Sequence, residues 1–326
     1  MRARWKRAMV AAAAVVAALL TGAVLTTVNP VLPRRFPQSI TVSPAELRHD
    51  VETLVEVGRY RDILRPEVLA TAADWIRERW ESAGFVVEEQ PFDVGGTTYR
   101  NLVLSYGPAD APLVIAGAHY DVCGEQDGAD DNASGVAAIL ALARLLALHR
   151  PVVSNRILLV AFCLEEPPSF RTPAMGSAVH ARALREREAR VKAMIALEML
   201  GYYSDQPHSQ TFPVAALGLV YPRTADFIGV VGDLGSLGLT RAVKARMAGA
   251  SSVPVWSINA PAAVPGVDFS DHLNYWAEGY PAVMVTDTAF YRNPNYHLPS
   301  DTADTLDYER LAEVVKGLYA TLVTLE

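Results

Sequence analysis

The amino-acid sequence predicts an α/β protein: a three-layer α/β/α sandwich around a central mixed, mostly parallel sheet. Three observations lead there. The runs LVIAGAHYD (113–121), RILLVAFCL (156–164), AMIALEML (193–200) and PAVMVTDTA (281–289) are apolar almost without interruption, as in strands covered on both faces. Between them lie residues 133–149 and 177–190, helical in composition and period, and strand–helix alternation places helices on both sides of a sheet. Acidic and imidazole side chains end several of the apolar runs, where open α/β sheets collect their ligands.

In chain order, Arg2, Arg4, Lys6 and Arg7 precede an apolar stretch over residues 8–28, the pattern of an export leader. About twenty residues is also enough to cross a bilayer as a helix. The basic end stays in the cytoplasm, so everything after Val28 is expected outside it. Thr21-Gly22-Ala23 meets the small-x-small cleavage pattern only loosely. Residues 1–28 therefore read as a signal-anchor, with a cleaved signal peptide and a secreted product as the alternative. Residues 29–44 (NPVLPRRFPQSITVSP) are Pro-rich without apolar periodicity and read as an extended tether.

A single catalytic domain is expected over 45–326. Ser43 as N-cap, Pro44 at the first helical position and Glu46 two residues on mark its first helix. A second helix is expected over 67–83, stopped at Gly84. FVVEEQPFD (85–93) and YRNLVLSYG (99–107) read as early strands, and residues 308–325 as the last helix. Residues 202–265 mix Pro, Gly and short apolar runs around one helix at 236–248, and are expected as loops over the strand ends.

Composition narrows the function. With 326 residues and a net charge of −7 the chain shows no basic face, so no nucleic-acid partner is expected. Two cysteines, Cys123 and Cys163, make no disulfide framework; each lies close to a candidate site residue, and one bridge or two free thiols both fit the spacing.

The candidate site is spread over half the chain. His119 ends a strand, with Asp121 placed to accept the second ring N–H of a metal-bound imidazole. Asp131 lies in GADDNASG ahead of a helix, a carboxylate able to bridge two cations; Asp130 and Asn132 beside it also fit a helix cap. Glu165 and Glu166 close a strand, and adjacent strand residues point to opposite sides, so one carboxylate is free to bind metal and the other to take a proton. Glu198 sits among apolar neighbours, where an unpaired carboxylate is costly. His297 follows Tyr296 in a loop before Ser300-Asp301, which reads as the N-cap of the last helical region. Two histidines with several carboxylates are zinc-ligand chemistry. His49, His149, His180 and His208 carry no motif and read as surface residues.

Taken in order, HYD, GADDNASG, the Glu-Glu pair, LEMLGYY, FSDH and NYHLPSDTADTL resemble the co-catalytic zinc aminopeptidases of metallopeptidase family 28, over nearly the whole chain from about residue 46. The resemblance implies a zinc-dependent exopeptidase fold, two zinc ions per chain and peptide substrates. It implies that His119 and Glu198 hold one zinc, Glu166 and His297 the other, and that Asp131 bridges them. Glu165 would be the general base for a hydroxide shared by the two ions, and Tyr296 would stabilise the oxyanion. Asp121 would lie behind the ligands, with Asp271 and His272 of FSDH as supporting structure. One departure stands out: many secreted members carry Asp where this chain has Glu198. The alternatives are a glutaminyl cyclase, which shares the fold with a single zinc, and a non-catalytic receptor-like ectodomain. Preferred residue and oligomeric state are not legible.

Overall fold

The structure, a computed structural model, describes residues 24–325 and a few isolated positions before them; the leader expected at 1–28 otherwise lies outside the described residues. Eight strands form one sheet: β1 (Val87–Val94), β2 (Thr97–Tyr106), β3 (Leu113–His119), β4 (Arg156–Phe162), β5 (Val191–Glu198), β6 (Ile228–Gly232), β7 (Val255–Asn259) and β8 (Ala282–Thr286). Their spatial order is β1-β2-β4-β3-β5-β8-β6-β7. The four central strands, β4, β3, β5 and β8, run parallel, while β2 joins β4 and β6 joins β8 antiparallel.

Each central strand is buried on both faces. In β5, Ile195 and Leu197 enter one core while Met194 and Ala196 enter the other; in β8, Val283 and Val285 oppose Ala282 and Met284. This two-residue alternation inside a continuous apolar run is why the runs look unpatterned. One face is covered by α1 (Pro44–Val57), α2 (Pro66–Ser82), α3 (Gly135–His149), α5 (Leu237–Ala248) and α7 (Tyr308–Thr324). The other carries α4 (Gly176–Glu186) and the short α6 (His272–Ala277). From β3 the chain moves through α3 to β4, then through α4 back across to β5. The strand order thus reverses around β3, and the C-terminal ends of β3, β4 and β5 frame the crevice where such sheets bind ligands.

Among the described residues one helical stretch, Ala129–His149, has the length and apolarity of a membrane span; it is packed within the domain as a core helix.

The first helix starts as its sequence dictates: Ser43 Oγ accepts the Glu46 N–H at 3.2 Å with Pro44 in the first turn. Three expectations need correction. The 202–265 stretch contains two strands, β6 and β7, which extend the sheet beyond β8. IGVVG and VWSIN are only five residues each, and β7 is an edge strand with alternating burial, so neither carries a long apolar signature. Ser300-Asp301 does not cap the last helix; Asp307 does, its carboxylate accepting the Arg310 N–H at 3.0 Å. His180 is not a surface residue: it is buried on α4, with Nδ1 2.6 Å from the Tyr275 hydroxyl.

Residues 29–43 have no regular secondary structure, yet they lie along the domain rather than away from it. Asn29 is fully buried, its amide donating to Asn259 Oδ1 at 2.6 Å. The Val28 carbonyl accepts from Lys244 Nζ at 2.7 Å and Ser257 Oγ at 3.0 Å. The Arg34 N–H donates to the Ala245 carbonyl at 2.7 Å, and the Phe36 ring meets Tyr319 edge-on. Gly249 permits this seat, because a Cβ there would fall 1.9 Å from the Arg34 carbonyl oxygen.

Candidate metal centre

The site is assembled from strand ends and the turns behind them. His119 is the last residue of β3 and Glu198 the last of β5. Asp131 lies in a tight turn, residues 129–134, between β3 and α3; the turn begins at Gly128, whose φ of +60° favours glycine. Glu165 and Glu166 fall three and four residues beyond β4, not within it. Leu164, with φ +62°, breaks the strand, so the two carboxylates diverge through a turn rather than by strand pleating. Asp121 fixes that turn: its Oδ1 accepts the Glu165 N–H and its Oδ2 the Glu166 N–H, both at 3.0 Å. His297 comes from the loop after β8, and Tyr296 stacks on its ring at 3.8 Å between centroids.

Five side chains then converge as expected from the sequence. His119 Nε2 lies 3.3 Å from Asp131 Oδ1 and 3.5 Å from Glu198 Oε2. His297 Nε2 lies 3.1 Å from Asp131 Oδ2 and 3.2 Å from Glu166 Oε2. Asp131 therefore offers one oxygen to each of two donor sets. Ligands about 2.0–2.1 Å from a tetrahedral zinc stand about 3.3–3.4 Å from one another. The spacings here are those of two such sites sharing a carboxylate. His119 Nε2, Asp131 Oδ1, Glu166 Oε1 and His297 Nε2 make no hydrogen bond of good geometry although buried, which leaves their lone pairs for something else. The donor set fits two zinc ions.

The electrostatics follow from packing four carboxylates and two imidazoles into one largely buried cluster. Burial and the Asp131 charge push Glu166 up to about 8, against the pull of His297. Burial likewise raises Glu165 well above its ordinary value, with His119 opposing and Glu166 and Glu198 adding. For His119 and His297 burial acts downward, but the surrounding carboxylates prevail and raise both, His297 to about 11. Asp131, between the two imidazoles, is held below the usual carboxylate range despite its burial.

Supporting residues lock the ligands. His119 Nδ1 meets the Asp121 main-chain carbonyl at 3.2 Å, closer than the Asp121 carboxylate at 3.6 Å. Ser270 Oγ donates to Glu198 Oε2 at 2.7 Å. Asn132 does cap the following helix, its Oδ1 accepting the Gly135 N–H at 3.1 Å, whereas the Asp130 side chain does not. Asp130 accepts the Gly201 N–H and an Asn293 amide proton, and Asn132 bonds the Leu197 carbonyl and the Met199 N–H, stapling the turn to the end of β5. Asp271 is fully buried with His119 and Glu198 among its charged neighbours, and burial raises it to about 7. His272 turns away, its Nε2 on the Val267 carbonyl and its ring against Trp276. Cys123 and Cys163 are both free thiols; Cys163 is buried beside Tyr120, whereas Cys123 is half-buried at the site.

Two important residues escaped the sequence reading. Asp301 accepts the Asp130 and Asp131 N–H groups at 2.9 and 3.1 Å, fixing the turn that carries Asp131 from behind. Arg61, fully buried after α1, donates to the carbonyls of Tyr120, Asp127 and Gly128 at 2.6, 2.7 and 2.8 Å. Its place in GRYRDILRP reads as a solvated turn, and no local signal marks it.

Beside Glu198 opens an apolar cavity of about 100 Å³, walled by Phe227, Val230, Trp256, Ile258, Val267 and Met284 among others.

The sequence pattern of Peptidase family M28 matches residues 101–322. The uncharacterized protein YfbL of Escherichia coli K12 is 47% identical over 288 residues, 86% of this chain and 88% of that one. A probable leucine aminopeptidase 1 of Trichophyton verrucosum is 24% identical over 263 residues, covering 75% of this chain and 64% of its own length. Among solved structures, LapB of Legionella pneumophila superposes with a TM-score of 0.68 at 21% identity, over 86% of this chain and 72% of that one. A glutaminyl cyclase of Bacteroides thetaiotaomicron bound to N-acetylhistamine reaches the same TM-score at 18% identity, over 89% and 100%. These two likenesses speak for the fold, and the match over most of the chain speaks for the family: the protein belongs to peptidase family M28.

Proposed function

We propose that the protein is a zinc-dependent aminopeptidase with two ions per chain. The observation that carries this is Asp131, whose two oxygens face two separate histidine–glutamate sets. His119 and Glu198 would hold one ion, Glu166 and His297 the other. When bound, the paired ions polarise the scissile carbonyl and make water nucleophilic near neutral pH. Glu165, with a carboxylate oxygen within 4.8 Å of a His119 ring nitrogen and a Glu166 oxygen, takes the proton of the attacking water and returns it to the leaving amine. Burial raises its basicity, which suits a proton acceptor. The Tyr296 phenol, amid the same carboxylates and kept protonated by burial, donates to the developing oxyanion. The apolar cavity beside Glu198 receives the side chain of the first residue, which favours an apolar one.

The leader is read as a membrane anchor holding the domain outside the cytoplasm, and the seating of Val28 against Lys244 and Ser257 supports a junction continuous with the domain.

The test is a panel of aminoacyl-chromophore amides and N-terminal glutaminyl peptides, presented to the detergent-solubilised full chain with zinc, with chelator, and after zinc is restored. Release of apolar residues, lost with chelator and regained with zinc, is expected. Cyclisation of glutaminyl peptides without aminoacyl release would identify a cyclase, and a zinc-loaded but inert protein would identify a non-catalytic member.

A further inference from the structure

The two half-sites differ in one respect: among the described residues, a cysteine thiol joins only one of them. From His119 the chain continues through Tyr120, Asp121 and Val122 to Cys123, and this segment is pinned. The Tyr120 N–H donates to the Phe162 carbonyl at 2.9 Å and the Val122 N–H to the Arg61 carbonyl at 3.1 Å. The pinned backbone presents the Cys123 thiol to the Glu166–His297 side. Cys123 Sγ, a Glu166 carboxylate oxygen and a His297 ring nitrogen all lie within 4.8 Å of one another. The His119–Asp131–Glu198 cluster contains no such group. Glu166 supplies a second, separate observation. It is 4% exposed, its Oε2 is engaged by His297, and its Oε1 has no hydrogen-bond partner. A buried carboxylate oxygen left without a donor beside a thiol and an imidazole marks a place shaped for an electrophile.

We propose that Cys123 is a ligand of the metal held by Glu166 and His297. This rests on the reading of that pair as a metal half-site. As the cation binds, the thiol releases its proton to solvent and the sulfur forms a bond to the metal, so the protein donors of the half-site become more negative by one and the half-site with its ion more positive by one. With Asp131 the half-site then has four protein donors of S, N and O type, whereas the His119–Glu198 half-site has three of N and O type. The two halves are consequently unequal. The Glu166–His297 side favours ions that accept thiolate, such as zinc, cadmium and cobalt, and fills first. The His119–Glu198 side, beside the apolar cavity, holds its ion more loosely and keeps a position open for substrate.

X-ray absorption at the zinc edge tests this on the full chain carrying one zinc equivalent. A sulfur scatterer at about 2.3 Å is expected beside nitrogen and oxygen scatterers at about 2.0–2.2 Å. It should vanish in Cys123→Ser and persist in Cys163→Ser. Cobalt loading gives an independent optical reading: a sulfur-to-cobalt charge-transfer band in the near ultraviolet, present in the unaltered protein and absent in Cys123→Ser. Bound zinc with a nitrogen–oxygen shell alone, and no such cobalt band, overturns the proposal while leaving the metal site intact. Failure of the unaltered protein to retain zinc overturns the metal-site reading itself. Because the unaltered protein's spectra decide the matter, poor folding of a variant does not blunt the test.

Discussion

Replacing Arg61 by Lys should unsettle the metal centre without touching a ligand. The guanidinium makes three charge-assisted hydrogen bonds, to the carbonyls of Tyr120, Asp127 and Gly128. Tyr120 follows His119 directly, and Gly128 opens the turn that carries Asp131, so one side chain sets the distance between two candidate ligands twelve positions apart in the chain. Burial lowers the guanidinium to about 10, with Asp121, Asp301 and Asp131 opposing, so it stays charged at neutral pH. An ammonium lacks the planar fork and cannot serve three divergent carbonyls from one position. At least two carbonyls lose their donor, each at about 1–3 kcal/mol when buried. Allowing for partial relaxation, Arg61→Lys is expected to lower the stability of the metal-free protein by about 3 kcal/mol. Zinc affinity should fall about 10–100-fold, as when groups that orient a ligand are removed. Urea unfolding after chelation gives the first quantity and competition with a chromophoric chelator the second. A variant within about 1 kcal/mol of the parent, with unchanged zinc affinity, would refute the role of Arg61 as the spacer between the two loops.

Other outcomes follow from the same geometry. Glu165→Gln should keep its zinc yet lose about 10²–10⁴-fold in turnover, and surviving activity would remove Glu165 as the base. Asp131→Ala deletes an oxygen from each donor set, so zinc per chain should drop on dialysis; a fully loaded, active variant would exclude a bridging carboxylate. His180 is buried, and burial lowers it to about 3. The folded state therefore binds fewer protons than the unfolded chain between about pH 3 and 6.5, so this contribution is intact above 6.5 and lost as pH falls below it. Unfolding free energy should decline through that window by about 1 kcal/mol per pH unit from this group alone, and His180→Gln should flatten the decline.

Those elements that were legible share one property: their chemistry is local. The four central strands announce themselves as unbroken apolar runs because both faces are covered, and His119 and Glu198 stand out because each ends such a run. The first helix was legible from Ser43 and Pro44 alone. What escaped is set by tertiary partners. β6 and β7 are short and take their place through pairing with β8 and with each other. Asp301 resembles a helix cap until its carboxylate is seen on the backbone of Asp130 and Asp131, some 170 residues away. His180 becomes a core residue only through α6, which brings Tyr275 to it. Glu165 and Glu166 were found for their composition, while the turn that separates them depends on Asp121, 44 and 45 residues earlier.

The seating of residues 28–36 on α5 has a consequence for where the enzyme works. Sixteen free residues, 29–44, would form a leash of about 50–60 Å, letting the domain roam a hemisphere above the bilayer. Bound at Asn29, Arg34 and Phe36, the leash has no slack. If the leader is embedded as proposed, the seated leash would hold the crevice close to the lipid surface, and peptides at that surface would be met in two dimensions rather than three. A valine at Gly249 would evict the Arg34 carbonyl and loosen the middle of the leash, while Val28 and Asn29 keep the end next to the leader seated.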